Sequence, residues 1–136
     1  MAATHFSGPI AIGSGSIETL TASTTLDGDD NGKTFMVATD ALVITLPAAS
    51  SSAGWSFTFV NSGADGNNII TVSPASTDAI WGSVTLAASV VEFSGVDDKD
   101  LINTKATANK GDTATIVCDG SDWFVTTATG IWASQS

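Results

Sequence analysis

The sequence predicts an all-β fold: an antiparallel sandwich or jelly-roll-like domain with an extended N-terminal arm. Three observations support this. Short runs alternate apolar and polar residues, as a half-buried strand requires. Turn-forming pairs punctuate them at Asp27-Gly28, Asn31-Gly32, Ser62-Gly63, Asp65-Gly66, Ser94-Gly95 and Asp119-Gly120. Such residues accept positive φ or cap local backbone. No window places apolar residues at the spacing of an amphipathic helix. Many short strands at even spacing favour a sandwich or jelly roll. With 136 residues the chain suits one domain with a real core.

The elements follow in order. Residues 1–16 read as an arm, rich in Ala, Gly and Ser, with Pro9, Gly13 and Gly15 and no sustained period. A segment of this kind is flexible alone or ordered by a neighbour; the apolar Phe6, Ile10 and Ile12 favour a neighbour. Residues 17–136 form a single β domain. Strands are expected near 17–22, 33–38, 41–46, 55–61, 68–73, 79–85, 88–93, 100–106, 113–118 and 122–127, with a short last one near 130–133. In Trp55-Ser56-Phe57-Thr58-Phe59-Val60-Asn61 the three aromatics share one face and Ser56 and Thr58 the other. The run Asn68-Ile69-Ile70-Thr71-Val72-Ser73 is β-branched and apolar, as strands prefer. Leu46 to Gly54 is the best helical candidate, yet it is too short and serine-rich for more than one turn. No internal repeat of the roughly 20–50-residue solenoid kind is evident.

Charge excludes several function classes. The formal net charge is −10, there is no arginine, and the lysines are Lys33, Lys99, Lys105 and Lys110. Phosphate backbones are bound through Lys and Arg, so nucleic acid is excluded as a direct partner. Anionic membranes are disfavoured for the same reason. Only 13% of residues are charged against 43% hydrophobic, which is not a disordered composition. So few charges predict a backbone tied into sheets and a surface partly buried against other subunits. The single cysteine, Cys118, rules out an intrachain disulfide and a cysteine-only metal site. At a strand end it reads as a small buried hydrophobe. The opening MAATHFSGPIAIGSGS has no basic start and no apolar core long enough for a signal peptide. No stretch is long and apolar enough for a spanning helix. Synthesis in the cytoplasm without classical export is expected.

Catalytic patterns are weak. His5, the one histidine, lies in the arm, where the geometry of a Ser-His-Asp triad is rarely held. Asp97, Asp98 and Asp100 crowd one turn, but glycosidase carboxylates face each other across a cleft, whereas adjacent aspartates point apart. Gly13-Ser14-Gly15 lacks the helix and lysine of a phosphate loop. Asp27, Asp29, Asn31 and Gly32 match the first half of a calcium loop, D-x-D-x-[DN]-G. The twelfth position, where such a loop needs a bidentate Glu, holds Ala38. These three oxygen residues are the metal candidates, set against an ordinary turn, and no cofactor is expected. Trp55 and Trp123 alternate with apolar neighbours and read as core. Trp132 lies past Gly130, near the C-terminus, where a lone domain would expose it. It reads as an intersubunit or intermodule contact.

A set of stretches occurs in a fixed order: Ile17-Glu18-Thr19-Leu20-Thr21-Ala22, Asn31-Gly32-Lys33-Thr34-Phe35, Ile44-Thr45-Leu46-Pro47-Ala48, Gly54-Trp55 to Asn61, Ile70-Thr71-Val72-Ser73-Pro74, Asp78-Ala79-Ile80-Trp81-Gly82, Lys110-Gly111-Asp112, Ile116-Val117-Cys118-Asp119-Gly120 and Asp122-Trp123-Phe124-Val125. This order resembles a β-rich module of tailed-bacteriophage virion proteins, both head decoration (cement) proteins and tail appendages. The opening Thr4-His5-Phe6-Ser7-Gly8-Pro9 is similar to the start of small phage structural proteins. The resemblance implies a non-catalytic virion protein whose partner is the major capsid protein, and it implies a homotrimer at threefold positions. An acidic body suits the outer capsid surface rather than the DNA-facing side. On this reading the interface residues are Phe6, Pro9, Ile10 and Ile12 of the arm, with Trp132. The alternative is a tail-appendage or receptor-binding module that recognises host glycan.

Overall fold

A computed structural model of the protein describes residues 16–86 and 90–135. Within them the alternating runs become strands: β1 (Ile17–Leu20), β2 (Thr24–Thr25), β3 (Thr34–Val37), β4 (Leu42–Thr45), β5 (Ser56–Asn61), β6 (Ile70–Ser73), β7 (Ala79–Thr85), β8 (Val90–Asp97), β9 (Leu101–Asn103), β10 (Thr113–Cys118), β11 (Trp123–Thr129) and β12 (Trp132–Ser134). The larger sheet runs β1-β3-β5-β10-β11-β7-β8 and the smaller β12-β9-β6-β4-β2. The fold is all-β. Among the described residues helix is limited to single 3-10 turns at Gly28–Asp30, Ala49–Ser51 and Lys105–Thr107. The second of these occupies the one helical candidate of the sequence. Among the described residues no helix is long and apolar enough to cross a membrane.

The strand pairing corrects the antiparallel expectation: both sheets are mixed. The pairs β1–β3, β3–β5, β2–β4, β4–β6 and β7–β11 are parallel. The pairs β5–β10, β10–β11, β7–β8, β6–β9 and β9–β12 are antiparallel. From β1 to β6 the chain changes sheet at every step, so each strand lies parallel to the one two steps before it. Three coils stack in this way. Ile17 pairs with Thr34 and Thr34 with Thr58 in one sheet, while Thr24 pairs with Ile44 and Ile44 with Val72 in the other. The turns at Asp27-Gly28 and Asn31-Gly32 therefore serve crossovers between sheets, not hairpins. Hairpins return at β7–β8 and β10–β11.

Inward side chains of both sheets make one core. Phe35 and Phe59, paired across β3 and β5, stack with ring centroids 5.9 Å apart. Phe57 meets Trp123 at 5.5 Å. Ala114 lies beside Phe59 on β10, and its small side chain leaves room for the ring. The smaller sheet adds Leu42, Ile44, Ile70, Val72, Leu101 and Trp132, all buried. Each such side chain contributes about 1.5–3 kcal/mol by leaving water.

The margin at β1 is guarded. Glu18 shares the row of Phe35 and Phe59, so it faces inward on the outermost strand. Its carboxylate accepts a hydrogen bond from Lys33 Nζ at 2.9 Å, and Lys33 reaches Asp30 at 3.1 Å. Those two hydrogen bonds, Glu18 first, hold the Lys33 ammonium above its ordinary pKa. An inward-pointing charge on a short edge strand opposes addition of a further strand. Glu18→Val is therefore expected to promote self-association beyond that of the parent. Sedimentation velocity checks this over a concentration series; an unchanged distribution would contradict the guarding role.

Candidate functional site

The arm residues Phe6, Pro9, Ile10 and Ile12, together with His5, lie outside the described residues. The chain enters the described body at Ser16, whose carbonyl accepts from Thr34 N at 2.6 Å. It enters beside β1, the outermost strand of the larger sheet among the described residues.

The Asp27–Asn31 turn is built on capping. Asp27 Oδ1 accepts from Asp29 N at 3.0 Å, and Asp30 Oδ2 accepts from Asp27 N at 3.0 Å. This reciprocal pair caps the 3-10 turn at Gly28–Asp30. Asn31 Oδ1 accepts from Ser56 N at 2.9 Å and ties the loop to β5. Of the metal candidates, Asp27 and Asn31 thus spend a side-chain oxygen on backbone. Among the described residues no group of three or more His, Cys, Asp or Glu converges as a metal site. Asp97 and Asp98 are exposed at the end of β8, and Asp100 is half-buried just beyond them.

Trp132 is not exposed, and this corrects the interface expectation. Its side chain is fully buried within this chain, and Nε1 donates to Thr129 O at 3.0 Å. The reason is topological. β12 folds back to pair with β9, and β8 of the other sheet lies against it, so the indole enters the space between the sheets. Trp123 is core, as its alternation predicts; its Nε1 finds no partner. Trp55 is half-buried and packs over Gly28, where an added Cβ would stand 3.1 Å from the ring.

The exposed tryptophan is Trp81, which sequence reasoning did not single out. It is 40% exposed on the outer face of the larger sheet, and Phe124, its partner on β11, is 36% exposed. Trp81 Nε1 donates to Asp122 Oδ2 at 3.2 Å, and Asp122 Oδ1 accepts from Ala79 N at 3.3 Å. The ring lies on Gly95, where an added Cβ would stand 1.9 Å from Cε2. Gly95 has φ +67 and sits where the β7–β8 register slips between Ala79 and Trp81. Gly95 and Val96 thus form a bulge inside β8 opposite Ile80, and Ser94-Gly95 is not a turn between strands.

Beyond the hairpin, the Asp119–Asp122 turn closes itself. Asp119 Oδ1 accepts from Asp122 N at 2.9 Å and Ser121 N at 2.8 Å. These N–H groups, Asp122 first, hold the Asp119 carboxyl below its ordinary range. Cys118 is buried, its Sγ donates to Ala49 O at 3.4 Å, and burial pushes the thiol pKa up, as an inert core thiol requires.

At the opposite end of the sandwich lies a buried polar chain. Asn61 Nδ2 donates to Asn103 Oδ1 at 2.8 Å. Asn103 Nδ2 donates to Asp112 Oδ2 and to Ile131 O, each at 3.0 Å. Asp112 Oδ2 also accepts from Asn109 N at 2.9 Å. Gly130 makes room: a Cβ there would stand 2.2 Å from the Asp112 carboxylate. This chain links β5, β9, the start of β10 and the approach to β12. It is a latch between the coils and the later strands, its side chains bonded to one another and to nearby backbone.

A scan against protein-family models found no match, and a search of curated proteins found none.

Proposed function

We propose that the protein is a head decoration (cement) protein of a tailed bacteriophage. It binds the outer surface of the capsid as a homotrimer and holds neighbouring major capsid subunits together, without catalysis. Residues 1–16 serve as an extended arm. The observation that supports this best is the point of entry. The chain joins the described body at β1, which ends the larger sheet among the described residues. An arm anchored there reaches a neighbouring subunit while the body stays whole. Its docking loses chain entropy but covers a wide surface. Burial across a subunit junction then raises the cost of separating the shell by mass action.

Charge supports the same placement. Turns 27–30, 98–100 and 119–122 gather carboxylates at the end where β1 begins, with Lys33 and Lys99 as the lysines there. The other end is closer to balance. Lys105 there pairs with Asp40 and, ahead of the Ile69 N–H, holds that carboxyl below its ordinary range. An acidic surface is repelled by packaged DNA and suits the outside of a shell.

Deleting residues 1–14 is expected to leave the thermal transition in place and to lower occupancy on purified undecorated heads. Unchanged occupancy would sink the arm's role. A second reading, a tail-appendage module that recognises host glycan, draws on the three parallel coils of β1 to β6, the arrangement that β-helical fibres repeat. Binding to host cells in place of heads would select it.

A further inference from the structure

We propose that Trp81 and Phe124 form a binding platform for a neutral saccharide on the outer face of the larger sheet. The proposal goes beyond the decoration reading and does not depend on where in a virion the protein sits.

The platform is preformed. Across the strands, Val117 pairs with Phe124, Phe124 with Trp81, and Trp81 with Ser94. Strand spacing sets adjacent side chains about 4.8 Å apart, so the two aromatics sit side by side over a span that suits sugar rings. The indole is fixed from two directions. Asp122 holds its Nε1 edge, and Gly95 lets one face lie against the backbone. With 40% of the residue still exposed, the other face is open. An exposed aromatic alone is ordinary. One that is hydrogen-bonded at its edge and seated on a positive-φ glycine is pre-organised, so stacking on it loses little side-chain entropy.

The surroundings select the ligand. The next outward positions are hydroxyls and one carboxylate, Glu92, which is exposed and pairs with Ser83. Thr58 and Thr115 bond each other at 2.9 Å, and Ser83, Ser94 and Thr126 are exposed. Asp122 sits at the rim with carboxylate oxygens that accept further hydrogen bonds. None of the lysines lies on β5, β7, β8, β10 or β11. A suitable ligand therefore has an apolar ring face, hydroxyl donors at its edge and no negative charge. A pyranose has all three. A protein partner fits less well: a stable interface covers about 800 Å² per side around an apolar centre, and here hydroxyls and the carboxylates of Glu92 and Asp122 border the short apolar row directly.

The test titrates the full-length protein with a panel of neutral gluco-, manno- and N-acetylglucosamine oligosaccharides, following the heat of binding by calorimetry. Saturable binding by at least one member is expected. Trp81→Ala should weaken it about tenfold or more with an unchanged thermal transition. Gly95→Ala, which displaces the ring but keeps the indole, should do the same. If Gly95→Ala also perturbs folding, Phe124→Ser replaces it, with a similar loss of affinity expected. Occupancy of Trp81→Ala on heads should match the parent, so this test and that of the decoration reading fail independently. Absence of binding across the panel would overturn the proposal. So would binding that survives Trp81→Ala, or capture by this face of a basic protein in place of any sugar.

Discussion

Trp132→Ala is expected to cost about 3–5 kcal/mol, the usual range for truncating a fully buried tryptophan. The indole is enclosed between the sheets at the junction of β12, β9 and β8, and its Nε1 satisfies the Thr129 carbonyl. Truncation leaves a void at the margin of the smaller sheet and an unmatched carbonyl. A domain of this size has about 5–15 kcal/mol in total, so the variant should sit close to its unfolding threshold. Urea unfolding followed by circular dichroism checks this. A midpoint shift worth less than about 1 kcal/mol would mean that Trp132 is packed against something other than its own chain.

Asn103→Leu is expected to be nearly as damaging, although it places an apolar side chain of similar size in the core. Three hydrogen bonds vanish together: from Asn61, to Asp112 and to Ile131 O. The Asp112 carboxylate, only 5% exposed, keeps Asn109 N but loses its side-chain donor. Orphaning a buried polar group costs about 1–3 kcal/mol, and more for a charge. A loss of about 3–5 kcal/mol follows. The same urea series measures it, with Asn109→Ala as a control that keeps the backbone donor. A near-neutral Asn103→Leu would show that the buried chain is dispensable to stability.

These two sites show how far the sequence could be read. The alternation of Phe57 and Phe59 announces a strand with one face in the core, and the structure places both rings there. Alternation cannot announce direction, because parallel and antiparallel strands share the period of two when one face is solvated. The coils stayed hidden for a second reason. The step from Ile17 to Thr34 is shorter than that from Thr34 to Thr58, so no fixed repeat length marks them. β2, two residues long, is too short for any periodic signal.

Trp132 misled because position along the chain was taken for position in space. Its partner strand, β9, comes much earlier, and Gly130, with φ +89, turns the chain back toward it. From the sequence Trp81 has no assigned place and Ser94-Gly95 reads as a turn. In the fold Gly95 and Val96 bulge opposite Ile80, which seats the Trp81 ring on Gly95, and only the register of β7 on β8 reveals it. The buried Asn61–Asn103–Asp112 chain had no sequence signature, since asparagine and aspartate near turns are ordinarily solvated.

The central claim, that this is a capsid cement protein, is tested most directly by incubating the purified protein with undecorated phage heads. Bound copies are then counted by quantitative gel after sedimentation. The account predicts saturable binding at a stoichiometry set by the shell's threefold positions, and heads that resist heat or low salt better once saturated. Heads that stay bare at saturating protein, with host cells retaining it instead, would contradict the account and move the protein to the tail.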